Sequence, residues 1–524
     1  MRGRAVDSLS TDHPALRADY RNRRARLWQS LLRSTWLPLA AILMVATLAR
    51  FWQLTAVGFN SDEAVYTGAA ASLAGNQSLQ AMFPVFRAHP LLFQTLLSLV
   101  LRVDATDWSA RAFAAAIGVA AVAMTFLLGR RMYGRTAGLI GALLLAVMPY
   151  HVIVSRQVLL DGLMTLTATA ALYCVVRYQE NGTLIWLLSA GAVIGVTIVT
   201  KETSVVLIGG LYAFFALTPA VRTRLHHILL AVVTMVAVAA VWPLMLRVSG
   251  QGNTGQNYLV WQLFRRSNHG PEFYFTTLPA WIGPAVLAAA LIGLVWLRPE
   301  ATWRERLLLA WVIVPLAFFT IWPVKGFQYL LPIAPPLAVL AGRTLSHPID
   351  ALRHLRVNCM GVLALASVLS LAVATWNDIQ PTMSRTFMAG TGGVYGGRQA
   401  GEWVLRNVPQ GARLLAIGPS MANILDYYGR HSISALSVSS NPHNRNPAYT
   451  PVPNPDLALR KGDFQYLVWD SYTAYRSPFF GAELRKLASK FHGTPVFRAA
   501  ITVRGSTGVN IHEPVVVIYQ VYPS

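Results

Sequence analysis

The stretch WLPLAAILMVATLARFWQLTAVGFNSDEAVYTGAA, residues 36–70, decides how the chain is read. Its first half, 36–53, is an apolar run long enough to cross a bilayer as a helix. Its second half sets two adjacent carboxylates, Asp62 and Glu63, just beyond that run. Charge held at a membrane boundary is costly, so both acids are functional candidates. SDEAVYTGAAASLAG reads as a short amphipathic helix with Ser61 as its N-cap.

Working outward, ten further apolar runs follow, near 108–129, 136–151, 158–177, 184–200, 202–220, 226–247, 278–297, 307–323, 327–342 and 358–376. With 54% apolar and 13% charged residues over 524 positions, the chain is too apolar for a soluble protein of this size. The expected fold is an all-α polytopic membrane domain of about eleven transmembrane helices, followed by an extracytoplasmic α/β domain. HPLLFQTLLSLVLRV, 89–103, is apolar but short, and reads as a re-entrant or interfacial helix.

Lys and Arg set the expected orientation. The first 35 residues carry eight Arg, and the loops on their side of the membrane a further dozen. The opposite loops carry eight Lys and Arg. The N-terminus is therefore expected in the cytoplasm and residues after about 377 outside, in a plasma (inner) membrane protein. The net charge of +22 lies mostly in short cytoplasmic loops, so it argues for membrane topology and against nucleic acid as a partner. The two cysteines, Cys174 and Cys359, fall in or beside spans, which predicts neither a structural disulfide nor a thiolate metal site.

Three regions follow. Residues 1–35 are an Arg-rich cytoplasmic segment. Residues 36–376 are the transmembrane domain, with large outer loops at 54–107 and 248–277. Residues 377–524 change character, with more charge and Pro/Asn/Gly punctuation. There RLLAIG (413–418), FQYLVWD (464–470) and VVVIYQVY (515–522) read as strands. GEWVLRNV, SMANILDYYG and GAELRKLASKF read as helices. That alternation predicts a small α/β domain.

The outer-side charges mix a few acids with more bases: Asp62, Glu63, Arg87, His89, Arg156, Asp161, Lys201, Glu202, Arg265, Arg266, His269, Glu272 and Lys325. Group transfer from a lipid phosphate needs such a mixture. A carboxylate takes the acceptor's proton, and cations hold the leaving phosphate. Arg grips phosphate bidentately, while Lys acts as a point charge. His89, His269 and Glu272 with Asp62 could form a metal set by residue type, but no local spacing motif supports one. These residues assign no cofactor, and a divalent cation stays open.

The order of several short elements resembles a known family, the polyprenyl-phosphate-dependent GT-C glycosyltransferases of the protein O-mannosyltransferase and lipid A aminoarabinose transferase branch. The elements are Asp62-Glu63-Ala64-Val65-Tyr66, His89-Pro90-Leu91-Leu92, Ser155-Arg156 with Asp161, Thr200-Lys201, and Gln328-Tyr329-Leu330-Leu331-Pro332 before Pro335-Pro336. The resemblance covers roughly residues 36–345. It implies Asp62 as general base, with Glu63 supporting the base or contacting the sugar. It places His89 at the border of the site, Tyr329 near the lipid phosphate and Lys201 as a phosphate contact. Arg87, Arg156, Arg265, Arg266 and Lys325 complete the candidate donor set. The implied partners are a polyprenyl-phosphate-linked sugar, a lipid, polysaccharide or protein acceptor, and membrane lipids. The implied activity is inverting sugar transfer to a hydroxyl on the extracytoplasmic side. There are departures: HPLL lacks a second proline, Gln328 replaces an Arg, and Ala88 stands where aminoarabinose-transferase-like members carry an acid. A lipid-linked sugar transporter or flippase and a non-catalytic relative are the alternatives at this stage.

Overall fold

The computed structural model describes residues 35–86, 89–218, 221, 223–296, 302–346, 359–381, 394–504 and 510–523. Arg87, Ala88 and the Arg-rich residues 1–34 lie outside them. The protein is mostly helical, with one small sheet near the C-terminus.

Each of the eleven apolar runs contains a helix. Four described helices are long and apolar enough to cross a membrane: Asp107–Tyr133, Leu160–Asn181, Leu225–Val248 and Met360–Ile379. Two bent pairs raise the number to six: Arg135–Ala146 with Pro149–Ser155, at 60°, and Phe273–Ile282 with Pro284–Val295, at 100°. Proline supplies no amide proton and stands at the start of the second member of each pair, so the helical ladder breaks there. Trp36–Phe51, Leu92–Leu101, Leu184–Thr200 and Glu202–Leu217 are apolar but shorter. Among the described residues, four to six elements therefore reach full spanning length. Leu92–Leu101 is the short apolar element expected at 89–103.

Small residues let these helices approach closely, as in lipid, where no hydrophobic force drives helix association. Gly129 meets the Cα of Gly138, and a Cβ on Gly138 would lie 2.6 Å from the backbone nitrogen of Arg130. Buried arginines tie helix ends together, because the last carbonyls of a helix lack partners of their own. Arg50 donates to the carbonyl oxygens of Leu145 and Ala146, at the end of Arg135–Ala146. Arg156 donates to those of Ala49, Arg50 and Trp52, at the end of Trp36–Phe51.

The C-terminal sheet has five strands: β1 (Leu414–Ala416), β2 (Ile433–Ala435), β3 (Tyr466–Asp470), β4 (Thr494–Arg504) and β5 (Asn510–Gln520), in the order β2-β1-β3-β5-β4. β1 pairs in parallel with β2 and β3. β5 pairs antiparallel with β3 and β4. β1, β3 and β5 match the three strands read from sequence. β2 is three residues long and β4 carries Pro495, which hides both from a period-2 search.

The sheet domain is docked on the segment leading to Asp62. The hydroxyl of Tyr428 donates to Asp107 at 2.5 Å and accepts from the Phe59 amide at 2.9 Å. Arg398 adds an ion pair to Asp107 at 2.8 Å. The rings of Tyr427 and Tyr428 pack against Phe59.

Candidate active site

A cavity of about 820 Å³ opens between the helical region and the sheet domain. Asp62, His89, Lys201, Arg265, Lys325 and Tyr329 all line it, so the structure gathers residues up to 267 positions apart in sequence.

The Ser61–Leu73 helix presents Asp62. Its N-cap is Asn60 rather than Ser61: the Asn60 side chain accepts from the amides of Asp62 and Glu63, and the Glu63 carboxylate accepts from the Asn60 amide. This capping box is written in the sequence as Asn-Ser-Asp-Glu. It splits the acidic pair. Asp62 is exposed to the cavity, and among the described residues no side chain hydrogen-bonds its carboxylate. Glu63 is fully buried and does not line the cavity. Its two oxygens accept from the Nε and Nη2 of Arg111, both at 2.7 Å, and Oε1 also accepts from the Val158 amide. Arg111 in turn donates to the carbonyls of Leu54, Val57 and Gly58. Glu63 therefore holds the loop that delivers Asp62, and its oxygens are committed.

Lys201 lies at the end of the Leu184–Thr200 helix and is 3% exposed. Its ammonium donates to Asp161 at 2.7 Å and sits 4.8 Å from the centre of the Tyr329 ring. Its charge is thus already matched by a carboxylate. His89 is matched too: Nδ1 lies 3.0 Å from both oxygens of Glu202, and Nε2 lies 3.2 Å from the Tyr258 hydroxyl.

Arg265 and Lys325 differ. Arg265 stacks over Trp261 at 4.4 Å, and Lys325 donates to the Trp322 carbonyl. Neither has a carboxylate partner among the described residues. The backbone of Lys325 is clamped by Asn268, whose amide group donates to its carbonyl and accepts from its N–H, both at 2.8 Å. Tyr274 and Tyr150 fix the next two carbonyls, those of Gly326 and Phe327. This clamp orients the Phe327–Ile333 turn and hence Tyr329.

Two phenols in the cavity, Tyr66 and Tyr258, are held protonated. Burial, and then the Asp62 carboxylate, hold Tyr66 well above the usual tyrosine range. Burial, and then Glu202, do the same for Tyr258. His269 is pushed below its ordinary value, first by burial and then by the positive charges of Arg476 and Lys325.

Several candidates stand elsewhere. Arg156 serves the helix end described above. Arg266 is exposed and does not line the cavity, and neither does Glu272. His269 does line the cavity, where it stacks on Phe273 at 4.2 Å. Among the described residues no three His, Cys, Asp or Glu side chains are grouped to hold a metal ion. The sequence reading missed Tyr258 and Asn268, from a segment with no periodic pattern or motif, and the sheet-domain wall, whose Ser420 and Asn423 lie in a helix that carries no site motif.

Comparison with known proteins adds a second line of observation. The family model described as dolichyl-phosphate-mannose-protein mannosyltransferase matches residues 88–246. In the crystal structure of ArnT from Cupriavidus metallidurans bound to undecaprenyl phosphate, 97% of the chain is matched by 92% of this one, with a TM-score of 0.65 and 16% identity. The two chains share one fold over nearly their whole lengths. AglB, an archaeal oligosaccharyltransferase from Archaeoglobus fulgidus, is also similar, with a TM-score of 0.56 and 13% identity over 91% of this chain and 74% of that one. In sequence, an undecaprenyl phosphate-alpha-4-amino-4-deoxy-L-arabinose arabinosyl transferase of Pectobacterium carotovorum is 28% identical over 235 residues, 43% of this chain and 39% of that protein. The putative mannosyltransferase YkcB of Bacillus subtilis is 29% identical over 156 residues, 29% of this chain and 22% of that protein. The chain thus spans about two-fifths or less of the length of these two relatives.

Proposed function

We propose that the protein is an integral-membrane glycosyltransferase that moves a sugar from a polyprenyl-phosphate donor to an acceptor hydroxyl, with inversion, on the extracytoplasmic side. The observation that carries the proposal is the cavity's charge pattern. Among the described residues one carboxylate, Asp62, is free of ion pairs, and it shares the cavity with two cations, Arg265 and Lys325, that also lack carboxylate partners. The fold, shared with a protein solved with undecaprenyl phosphate, supports a lipid-linked donor.

In the reaction, Asp62 accepts the proton of the acceptor hydroxyl. The acceptor oxygen forms a bond to the anomeric carbon from the face opposite the phosphate. The bond from that carbon to the phosphate oxygen breaks, its electron pair staying on the oxygen. Polyprenyl phosphate leaves with charge compensated by Arg265 and Lys325. Tyr66 and Tyr258, held neutral, act as hydrogen-bond donors. Lys201 with Asp161 forms a buried neutral floor against which Tyr329 packs.

The test is a transfer assay with purified protein and a panel of radiolabelled polyprenyl-phosphate sugars. Release of polyprenyl phosphate coupled to a glycosylated acceptor is expected. Movement of intact lipid-linked sugar between leaflets with no release would overturn the reading in favour of a flippase.

A further inference from the structure

The helices that frame the cavity carry a second charged cluster at their other ends. The Leu160–Asn181 helix has Asp161, the partner of Lys201, in its first turn and Glu180 near its far end. The 19 positions between these acids, at 1.5 Å each, place them about 28 Å apart, close to the thickness of a bilayer's hydrocarbon core. Two helices repeat the division in reverse. Leu184–Thr200 has Trp186 near its start and Lys201 just past its end. Trp303–Ile321 starts with Trp303 and Arg304 and runs toward Lys325. Glu180 therefore lies at the face of the helical region opposite the cavity.

Three helices bring arginines to Glu180. Arg131, from Asp107–Tyr133, donates through Nε to its carboxylate at 2.5 Å. Arg177, from Leu160–Asn181, comes within 3.9 Å and Arg304, from Trp303–Ile321, within 3.7 Å. The last two distances are ion pairs without a hydrogen bond. Glu305, beside Arg304, is matched by Arg343 at 3.1 Å. Three guanidinium charges against the one Glu180 carboxylate leave an excess of two. Arg177 and Arg304 are also held in place: Arg177 lies 4.4 Å from the centre of the Trp186 ring and Arg304 5.0 Å from that of Trp303. Stacking occupies the face of a guanidinium and leaves its N–H edge available. Among the described residues the Arg177 side chain donates only to the Tyr173 hydroxyl, at 3.3 Å, and the Arg304 side chain makes no hydrogen bond. Tryptophan rings favour the headgroup level of a bilayer. An apolar stripe lies alongside. The Tyr178 hydroxyl and the His227 Nδ1, 3.0 Å apart, tie the start of the Leu225–Ala239 helix to this end, and that helix exposes Leu225, Leu229 and Val233 on one face.

We infer that this cluster is a binding site for the headgroup of an anionic glycerophospholipid, in the leaflet opposite the cavity. The phosphate diester sits between Arg177 and Arg304, with Arg131 at the rim, and the acyl chains follow the stripe of Leu225, Leu229 and Val233. A zwitterionic headgroup offers the same phosphate but adds an ammonium, which the excess positive charge repels. Basic residues at a membrane surface discriminate on this charge, and two of them make a preference of about tenfold or more for the anionic lipid the expected scale. Glu180 competes with the phosphate for the same guanidiniums. The bound headgroup joins three helix ends, so it stabilises the folded state by mass action. The inference rests on the membrane reading of the helices and on no step of the transfer reaction.

The experiment uses the full-length protein in detergent micelles, without donor. Native mass spectrometry measures binding of phosphatidylglycerol, of phosphatidylcholine with the same acyl chains, and of glycerol 3-phosphate. The wild type is expected to bind phosphatidylglycerol about tenfold or more tightly than phosphatidylcholine, and to unfold at a higher temperature when it is bound. Arg177→Gln/Arg304→Gln is expected to lose the preference, while Arg265→Ala/Lys325→Ala, in the cavity, keeps it. Glu180→Gln is expected to bind phosphatidylglycerol about fivefold more tightly than the wild type, since it removes one competing charge. Equal binding of the two lipids, or a preference that survives Arg177→Gln/Arg304→Gln, would overturn the site. So would a preference lost in Arg265→Ala/Lys325→Ala alone, which would place the lipid in the cavity. Binding of glycerol 3-phosphate as tight as that of phosphatidylglycerol would make the site one for a soluble anion and overturn the lipid assignment. Thermal unfolding without lipid checks the fold of each variant. Should Arg177→Gln/Arg304→Gln fail to fold, Glu180→Gln decides, and unchanged or weaker binding there overturns the site. Polyprenyl phosphate release in the transfer assay reports on the transferase reading separately, so either can fail alone.

Discussion

Glu63 and Arg111 form a bidentate, fully buried ion pair, with both N–O distances at 2.7 Å. Removing one partner of a buried pair strands the other charge and costs about 3–5 kcal/mol. Glu63→Ala and Arg111→Ala are therefore each expected to lower the midpoint of thermal unfolding and the yield of folded protein. The double variant should cost less than the two single changes together, because no charge is left stranded. Additive losses in a double-mutant cycle would show that the pair is not the element that matters.

Asp62, one residue away, predicts the opposite behaviour. It is exposed and, among the described residues, free of ion pairs, so Asp62→Asn should leave the unfolding midpoint unchanged while transfer falls by about 10³-fold or more, the scale of losing a general base. Binding of polyprenyl phosphate should survive. Turnover near that of the wild type would remove Asp62 from the mechanism.

Much of this was legible in the chain. Apolar runs located the helices, and the order of short motifs brought Asp62, His89, Lys201 and Tyr329 to one place. The division of labour within the acidic pair was not legible, because it depends on Arg111, 48 residues away, in a helix that reads simply as apolar. The capping box that fixes the orientation was written in the sequence and passed over. Arg156 looked like a substrate contact because a charge beside a span does so by default. Only the fold shows that its hydrogen bonds are spent on the end of another helix.

The cations predict a split between binding and folding. Arg265→Ala and Lys325→Ala should each weaken polyprenyl phosphate binding by about tenfold, since each removes one charge contact to the phosphate. Lys201→Met should act mainly on stability, because it leaves Asp161 buried beside an apolar chain. Measured donor affinity and unfolding midpoint separate the two. Unchanged affinity in both Arg265→Ala and Lys325→Ala would place the donor phosphate elsewhere.

Tyr428 couples the sheet domain to the loop that carries Asp62. Tyr428→Phe removes the hydroxyl that bridges Asp107 and the Phe59 amide while keeping the ring packed on Phe59. An unmet buried partner costs about 1–3 kcal/mol. The expected result is a lower transfer rate with donor affinity preserved, and faster hydrogen exchange at residues 58–61. Wild-type exchange there would mean that docking does not depend on this hydroxyl.

Asp470 gives the sheet domain a pH dependence whose sign is fixed. It is fully buried at the end of β3, where one oxygen accepts from the Thr473 amide at 2.6 Å and the other, among the described residues, has no hydrogen-bond partner. Burial pushes its carboxyl up to about 6, against an unfolded value near 3.8, although the Thr473 bond pulls the other way. A folded value above the unfolded one means that the native state holds the proton more tightly. Its stabilising effect is complete below about pH 4 and is lost as pH rises through 6. The loss is about 3 kcal/mol, at about 1.4 kcal/mol per unit. Hydrogen exchange of the β3 amides should therefore speed up between pH 4 and 6.5 after correction for the intrinsic rate. Asp470→Asn keeps the cap on the Ser471–Arg476 helix and removes the titration, so its corrected exchange should be flat over that interval. An equally steep profile in the variant would assign the dependence to another group.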